Sequence, residues 1–172
     1  MISFKFILYI LSLLVCSVSI IAINCTKPQL EVSSSPVDIV NVMIGDQIII
    51  AEVASSPEQR SVGLSGKEYL KNGRGMLFYY ANNRPSGFWM KGMLFGLDIL
   101  WIGEDCRIIG VIENVSPPES VLSTELEIYI APKAAIGVLE IGAGQTKALG
   151  INIGAKVAYQ DERSKHHYGC SE

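Results

Sequence analysis

The sequence has little positive charge and none of it is clustered: 14 Lys and Arg residues stand against 17 Asp and Glu residues, a net charge of −3. Because contacts to nucleic-acid phosphates need a concentrated basic patch, this composition argues against nucleic acid as a partner. The two histidines, His166 and His167, lie near the C-terminus, so a Ser-His-Asp or Cys-His catalytic arrangement requires the tail to fold back. Glycine-rich phosphate-binding motifs and C-x-x-C pairs are absent as well. Neither a nucleotide cofactor nor a structural zinc site is therefore expected.

The N-terminal segment is far more apolar than the rest of the chain. Residues 1–25 hold 19 apolar side chains and a single charge, Lys5. Residues 6–23 carry no charge, and as a helix they would extend about 27 Å, close to the thickness of a bilayer core. We therefore predict that residues 1–25 are a signal or anchor segment.

The end of this segment leaves the mode of membrane attachment open. It reads I-I-A-I-N-C and resembles the acylation box of bacterial lipoproteins, with Asn24 in the place of the usual small residue. The alternatives are an uncleaved transmembrane anchor, a lipid attached to Cys25, and a cleaved export signal. Each of them places the following domain outside the cytoplasm, at the cell surface or in the periplasm.

Two further segments of the exported part are polar. Residues 26–36 contain two prolines and three serines, the composition of a linker. Residues 161–172 are polar as well, and we predict that they form a disordered tail.

The cysteines of the exported part are Cys106 and Cys170. They either form a disulfide, which an oxidising compartment allows, or remain two unpaired thiols. The second alternative is favoured because Cys170 lies in the tail that we predict to be disordered.

Short runs rich in Val, Ile, Leu and aromatic residues, separated by Gly, Asp, Asn and Pro, dominate residues 37–160. Such runs predict a mainly β domain. About eight short strands favour a small closed or nearly closed β-barrel, because closure removes exposed strand edges. Two short helical turns interrupt them: a capping box S-P-E-Q at 56–59 ended by Gly63, and residues 144–149 ended by Gly150. The strand candidates are residues 37–44, 47–54, 75–80, 86–91, 97–102, 107–112, 126–131, 134–141 and 156–160.

Five motifs of this region follow one another in a recognisable order. They are G-M-L-F at 75–78, F-W-M-K at 88–91, L-D-I-L at 97–100, N-V-S-P at 114–117 and L-E-I-G-A-G at 139–144. Together they resemble the domain-of-unknown-function family DUF192 over about residues 37–160. The resemblance implies a small β-barrel-like domain, often carried behind an export signal or lipoprotein leader, with no established activity. The family usually has Asn-Thr where this chain has Gly92-Met93, so a polar role of that pair is not carried over.

The polar and aromatic residues within these motifs form a candidate binding pocket. Trp89 and Lys91 share one face of a predicted strand, and Asp98 follows on a neighbouring strand, where it can pair with Lys91. In the functional interpretation Trp89 stacks on a ligand, and Lys91, Asp98, Asn114 and Glu140 fix its polar groups. In the structural interpretation Trp89 fills the barrel, Lys91 and Asp98 form a partly buried ion pair, and Glu140 bonds the backbone.

We therefore predict a membrane-tethered binding or accessory module of the cell envelope, whose partner is a small molecule or an envelope component. One alternative is a hydrolase of envelope carbohydrate that uses Asp98 and Glu140 as its carboxylate pair. A second is a copper(I) site built from the thioethers of Met90, Met93 and Met76, although methionines beside aromatic rings usually fill a core. The sequence favours binding over catalysis, and no bound metal or cofactor is expected.

Overall fold

A computed structural model of the chain describes residues 37–80, 85, 87–120, 126–160 and 168–170. The predicted signal or anchor segment, the linker and the candidate lipidation site Cys25 lie outside these residues, as do His166 and His167. Within the described part of the chain, no helix combines the length and the apolar character needed to cross a bilayer.

Seven strands and two short helices form the described domain, so the mainly β prediction is confirmed. The strands are β1 (Ile39–Ile44), β2 (Gln47–Ala54), β3 (Arg74–Tyr79), β4 (Leu97–Gly103), β5 (Ile108–Val115), β6 (Ala135–Gly142) and β7 (Val157–Gln160). The helices are α1 (Pro57–Val62) and α2 (Gln145–Ala148). All seven strands belong to one half-barrel sheet in the order β5-β4-β6-β3-β2-β1-β7. Neighbours are antiparallel except β2 and β3, which are parallel.

The two edge strands of the sheet, β5 and β7, meet at one end. Arg107 and Lys156, which precede these strands, form an isolated bridge. The backbone N–H of Val157 donates to the carbonyl of Cys106 at 2.8 Å. These contacts satisfy edge groups that would otherwise be open to pairing with another chain.

Two of the nine strand candidates, residues 86–91 and 126–131, are not strands. Phe88 and Tyr129 form only a single antiparallel bridge. The ladder stops there because the chain turns immediately afterwards: the backbone N–H of Met93 donates to the carbonyl of Met90 at 3.2 Å. Residues 87–93 thus lie over one face of the sheet and add no strand to it. They are called the covering segment below.

The central strands are buried on both faces, which explains their nearly continuous apolar sequences. Successive side chains alternate between two cores, one on each face of the sheet. The first core is built around Ile49, Leu77, Leu100, Leu139 and Ile141. The second core is built around Met76, Phe78, Ile99, Trp101 and Val138, and it also contains Phe88, Met90 and Met93 from the covering segment.

Helix α1 forms as the capping-box pattern predicts. The Gln59 backbone N–H donates to Oγ of Ser56 at 3.1 Å, and the Gln59 side chain accepts from the Ser56 N–H at 3.0 Å. The helix ends at Gly63, whose φ of +52° is costly for a residue with a side chain. This compact helix follows β2 and leads the chain towards the second core.

The cysteines of the domain are paired. Cys106 and Cys170 form a disulfide that joins Cα atoms 5.5 Å apart. Residues 168–170 pack onto the sheet: the backbone N–H of Tyr159 donates to the Cys170 carbonyl at 2.7 Å, and the Tyr168 hydroxyl donates to Asp38 at 2.9 Å. The prediction of a disordered tail is therefore wrong for Tyr168–Cys170, because Tyr168 and Cys170 are buried in the first core.

Candidate functional site

A cleft of about 280 Å³ opens beside the second core. One wall is α1 with the turn after it, residues 57–65, and the opposite wall is formed by residues 87–89 and Met93. Phe78, Tyr80 and Glu140 complete the lining. The cleft exists because the covering segment lies over part of this sheet face and leaves the part next to α1 uncovered.

Glu140 is the unusual residue of this cleft. It lies in β6 at the centre of the sheet, opposite Met76 of β3 and Ile99 of β4. Its side chain is only 5% exposed, and it lines the cleft. Its carboxyl group is hydrogen-bonded to no residue that the structure describes, and its oxygens are not among the fully buried atoms without a partner. Burial raises the pKa of Glu140 to about 8 because the charged form loses its hydration. At neutral pH the cleft therefore contains an uncharged carboxylic acid.

Arg60 of α1 brings a positive charge to the rim. Its guanidinium lies 4.7 Å from the centre of the Tyr80 ring and donates to the backbone carbonyls of Ser55 and Tyr79. Burial raises the pKa of the Tyr80 hydroxyl, Arg60 lowers it, and Glu140 raises it again. Burial is the largest of these effects, and the net result is a raised pKa of Tyr80.

Aromatic rings form the apolar part of the cleft. Phe78 and Phe88 pack edge to face with centroids 5.0 Å apart, an arrangement that adds to the stability gained from burial. Trp89, the next residue along the chain, is 46% exposed and also lines the cleft. One broad ring is thus open to solvent beside a buried carboxyl group, a combination suited to a ligand with an apolar face and polar edges.

Comparison with known proteins places the domain in a family. The model of DUF192, described as "Uncharacterized ACR", matches residues 39–159. The chain belongs to the DUF192 family.

Two solved structures share the fold of this DUF192 domain. A candidate transcription regulator from Sinorhizobium meliloti 1021 is 29% identical, with a TM-score of 0.60 over 71% of this chain and 92% of its own. A protein of unknown function from Novosphingobium aromaticivorans DSM 12444 is 27% identical, with a TM-score of 0.61 over 74% of this chain and 88% of its own. Among the curated proteins, none matches this chain.

The five residues predicted to form a pocket are divided between two places in the DUF192 domain. Trp89 and Glu140 line the cleft. Lys91 and Asn114 are exposed outside it, and Asp98 is fully buried on the other face of the sheet. The expected Lys91–Asp98 ion pair is not formed, because Asp98 is enclosed by backbone N–H donors.

Asp98 organises the turn that leads from β6 into α2. Its Oδ1 accepts from the backbone N–H groups of Asn114 at 2.8 Å and Gly144 at 3.0 Å, and its Oδ2 accepts from Thr146 at 2.8 Å. Asn114, whose N–H is one of these donors, has a φ of +56°. Asp98 thus accepts from three backbone donors, that of Thr146 buried and the other two partly buried, which is a structural task.

The position of Asp98 also bears on the carboxylate-pair hypothesis. Asp98 lies opposite Ile141 in the β4–β6 register, whereas Glu140 lies opposite Ile99. Because neighbouring positions of a strand point to opposite faces, the two carboxyl groups face away from each other across the sheet. They share no site in which both could act on one glycosidic bond.

The three methionines considered as copper ligands pack in the second core. Met76, Met90 and Met93 are 6%, 5% and 4% exposed, and the core around them contains the Phe78–Phe88 pair. Their packing among aromatic and aliphatic side chains accounts for their presence.

Sequence reasoning missed Arg60 and Tyr80. Arg60 follows the capping box by one residue, and Tyr80 follows β3, so neither position is marked by a motif that indicates ligand binding. Glu140 does carry a signal, a single charge within the apolar run V-L-E-I.

Proposed function

We propose that this DUF192 domain is a ligand-binding module of the cell envelope, tethered to the membrane by its leader, and that the cleft beside α1 is its binding site. The observation that carries the proposal is Glu140. Its carboxyl group is almost completely buried, lines a cleft, and lacks a hydrogen-bonding partner among the described residues.

Among the described residues, the fully buried side-chain polar atom that lacks a partner is Oγ1 of Thr146, and the Glu140 oxygens are not among such atoms. Because Glu140 lines the cleft, a ligand there can reach its carboxyl group and form hydrogen bonds with it. Half-exposed Trp89 supports the same interpretation, because aromatic residues that are open to solvent beside convergent polar groups are typical of small-molecule sites.

Two features support a location outside the cytoplasm. The uncharged run of residues 6–23 is long enough for a membrane segment. The Cys106–Cys170 disulfide is of the kind that persists in oxidising compartments and is rare in the cytosol. Protease added outside the cytoplasmic membrane should digest the domain. Complete protection until the membrane is permeabilised would contradict the proposed location.

The binding proposal is tested with the full-length chain in detergent and a small-molecule extract of the cell envelope. Trp89→Ala removes the exposed ring of the cleft, and Tyr69→Ala is the matched control, because Tyr69 is 63% exposed and lies outside the cleft. We expect one fraction to raise the Tm of the wild type and of Tyr69→Ala by several degrees and to leave that of Trp89→Ala unchanged. Equal stabilisation of Trp89→Ala, or stabilisation by no fraction, would refute the proposal.

A further inference from the structure

From the geometry and charge of the cleft we infer the class of its ligand: an uncharged ring that bears hydroxyl groups and has the size of one pyranose sugar. Trp89 stacks on the apolar face of this ring, and the Glu140 carboxyl both donates to and accepts from its hydroxyl groups. The inference rests on the proposed function, because it concerns the ligand of the same cleft.

The charged groups that face the cleft disfavour an anionic ligand. Among the described residues that line the cleft, Arg60 is the cation, but its Nη1 already donates to two backbone carbonyls, those of Ser55 and Tyr79, and its guanidinium lies over the Tyr80 ring. A carboxylate or phosphate is bound best by a free guanidinium fork. Here both N–H groups of Nη1 are already used, so an anion is left with Nη2 and Nε or has to displace the bonds that hold Arg60 to the main chain.

A cationic ligand is disfavoured for a different reason. Among the cleft residues that the structure describes, its only carboxyl partner is Glu140, which burial holds in the neutral form at pH 7. An ammonium group would have to ionise Glu140 in a desolvated position while it entered past the positive charge of Arg60. A neutral hydroxyl group requires no ionisation, since an uncharged carboxyl offers one donor and an acceptor.

The shape and polarity of the lining fit a single ring. The cleft volume of about 280 Å³ lies just below the usual range for drug-sized ligands, about 300–1,000 Å³, which suits a small ligand of one ring. The Trp89 ring is 46% exposed, so it offers a flat apolar surface, while Phe78 and Phe88 close the cleft below. Ser61 adds an exposed hydroxyl at the rim. A pyranose has this combination: a face of C–H groups and an edge of hydroxyl groups.

The test uses sugars that share one ring and differ in charge. Glucose, galactose, mannose and N-acetylglucosamine are neutral, glucosamine is a cation at pH 7, and glucuronate is an anion. Binding to the full-length chain is measured by saturation-transfer NMR in a detergent without a sugar headgroup. We expect at least one neutral sugar to bind tenfold or more tightly than both charged analogues. Tighter binding of glucosamine or glucuronate would overturn the inference.

Variants of Glu140 distinguish a neutral hydrogen-bonding role from a charged one. Glu140→Gln keeps an uncharged donor and acceptor at the same position, and we expect it to bind the neutral sugar within about threefold of the wild type. Glu140→Leu has similar bulk but no polar atoms, and we expect binding to weaken at least tenfold, with a cooperative thermal transition as the check on folding. Loss of binding in Glu140→Gln as complete as that in Glu140→Leu would refute the neutral role.

Trp89→Ala is expected to weaken sugar binding about tenfold, and Tyr69→Ala is again the control. Equal affinity of Trp89→Ala and the wild type for the sugar would show that Trp89 does not stack on the ligand. If no sugar binds but an envelope fraction still stabilises the wild type and not Trp89→Ala, the inferred ligand class is wrong and the proposed function stands. If no sugar binds and no envelope fraction stabilises the wild type, both the inferred ligand class and the proposed function are wrong.

Discussion

Replacing Glu140 with glutamine is expected to make the domain progressively more stable than the wild type as the pH rises. Burial raises the pKa of Glu140 from 4.5 to about 8 in the folded domain. Between these two values the folded state holds a proton that the unfolded state has released. The free energy of unfolding of the wild type therefore falls as the pH rises through this interval. Glutamine has no proton to lose, so this dependence disappears in the variant.

The magnitude follows from the pKa difference. Each pKa unit corresponds to about 1.4 kcal/mol, so a pKa of about 8 in place of 4.5 amounts to about 5 kcal/mol. The free energy of unfolding that is linked to the Glu140 proton is intact at and below pH 4.5. About 3 kcal/mol of this free energy is lost by pH 7, and the loss levels off above pH 8. The side chain is only 5% exposed, so screening by solvent reduces this effect little.

Thermal unfolding of the full-length wild type and of Glu140→Gln between pH 4.5 and 9 checks this expectation. The difference in Tm between the two proteins should grow by on the order of 10 °C across the interval, and other titrating groups cancel in that difference. Glu113→Gln, which removes an exposed carboxyl of β5, is the control. A difference between Glu140→Gln and the wild type that stays constant with pH would refute a buried, neutral Glu140. Infrared spectroscopy at pH 7 gives a second readout, the carboxylic-acid C=O band that should vanish in the variant.

Two further predictions concern groups that hold the domain together. Asp98→Asn replaces an acceptor of three backbone N–H bonds with an amide that cannot accept all of them, and we expect a loss of about 2–3 kcal/mol in thermal unfolding. A loss below about 1 kcal/mol would show that the turn into α2 does not depend on this carboxylate. Cys106→Ser combined with Cys170→Ser opens a cross-link between residues 64 positions apart, and we expect a loss of about 4 kcal/mol. An unchanged Tm, or no effect of a reductant on the wild type, would contradict this.

Local sequence patterns predicted much of the fold because the relevant interactions are short in range. The capping box of α1 joins Ser56 and Gln59, three residues apart. The Gly45-Asp46 turn joins β1 and β2 in direct succession. The alternation of side chains in residues 86–91 predicted a strand that the structure does not form. Whether such a run becomes a strand depends on a partner strand elsewhere in the chain.

The candidate site was predictable only in part for the same reason. Glu140 and Trp89 stood out by their chemistry, one as a charge within an apolar strand and the other as an aromatic residue in the F-W-M-K motif. Asp98 has the same chemistry as Glu140 and stood out equally. Only the register between β4 and β6 places Asp98 and Glu140 on opposite faces of the sheet, so that one carboxyl fixes a turn and the other faces a cleft.

By itself, the sequence determined the mainly β class, most strand positions, the capping box and the apolar character of residues 1–25, because each of these depends on neighbouring residues along the chain. The tertiary structure decided that Cys106 pairs with Cys170 and that α1, the covering segment and β6 enclose one cleft. Arg60, Trp89 and Glu140 are separated by many residues, and only the folding of the sheet and its cover brings them together.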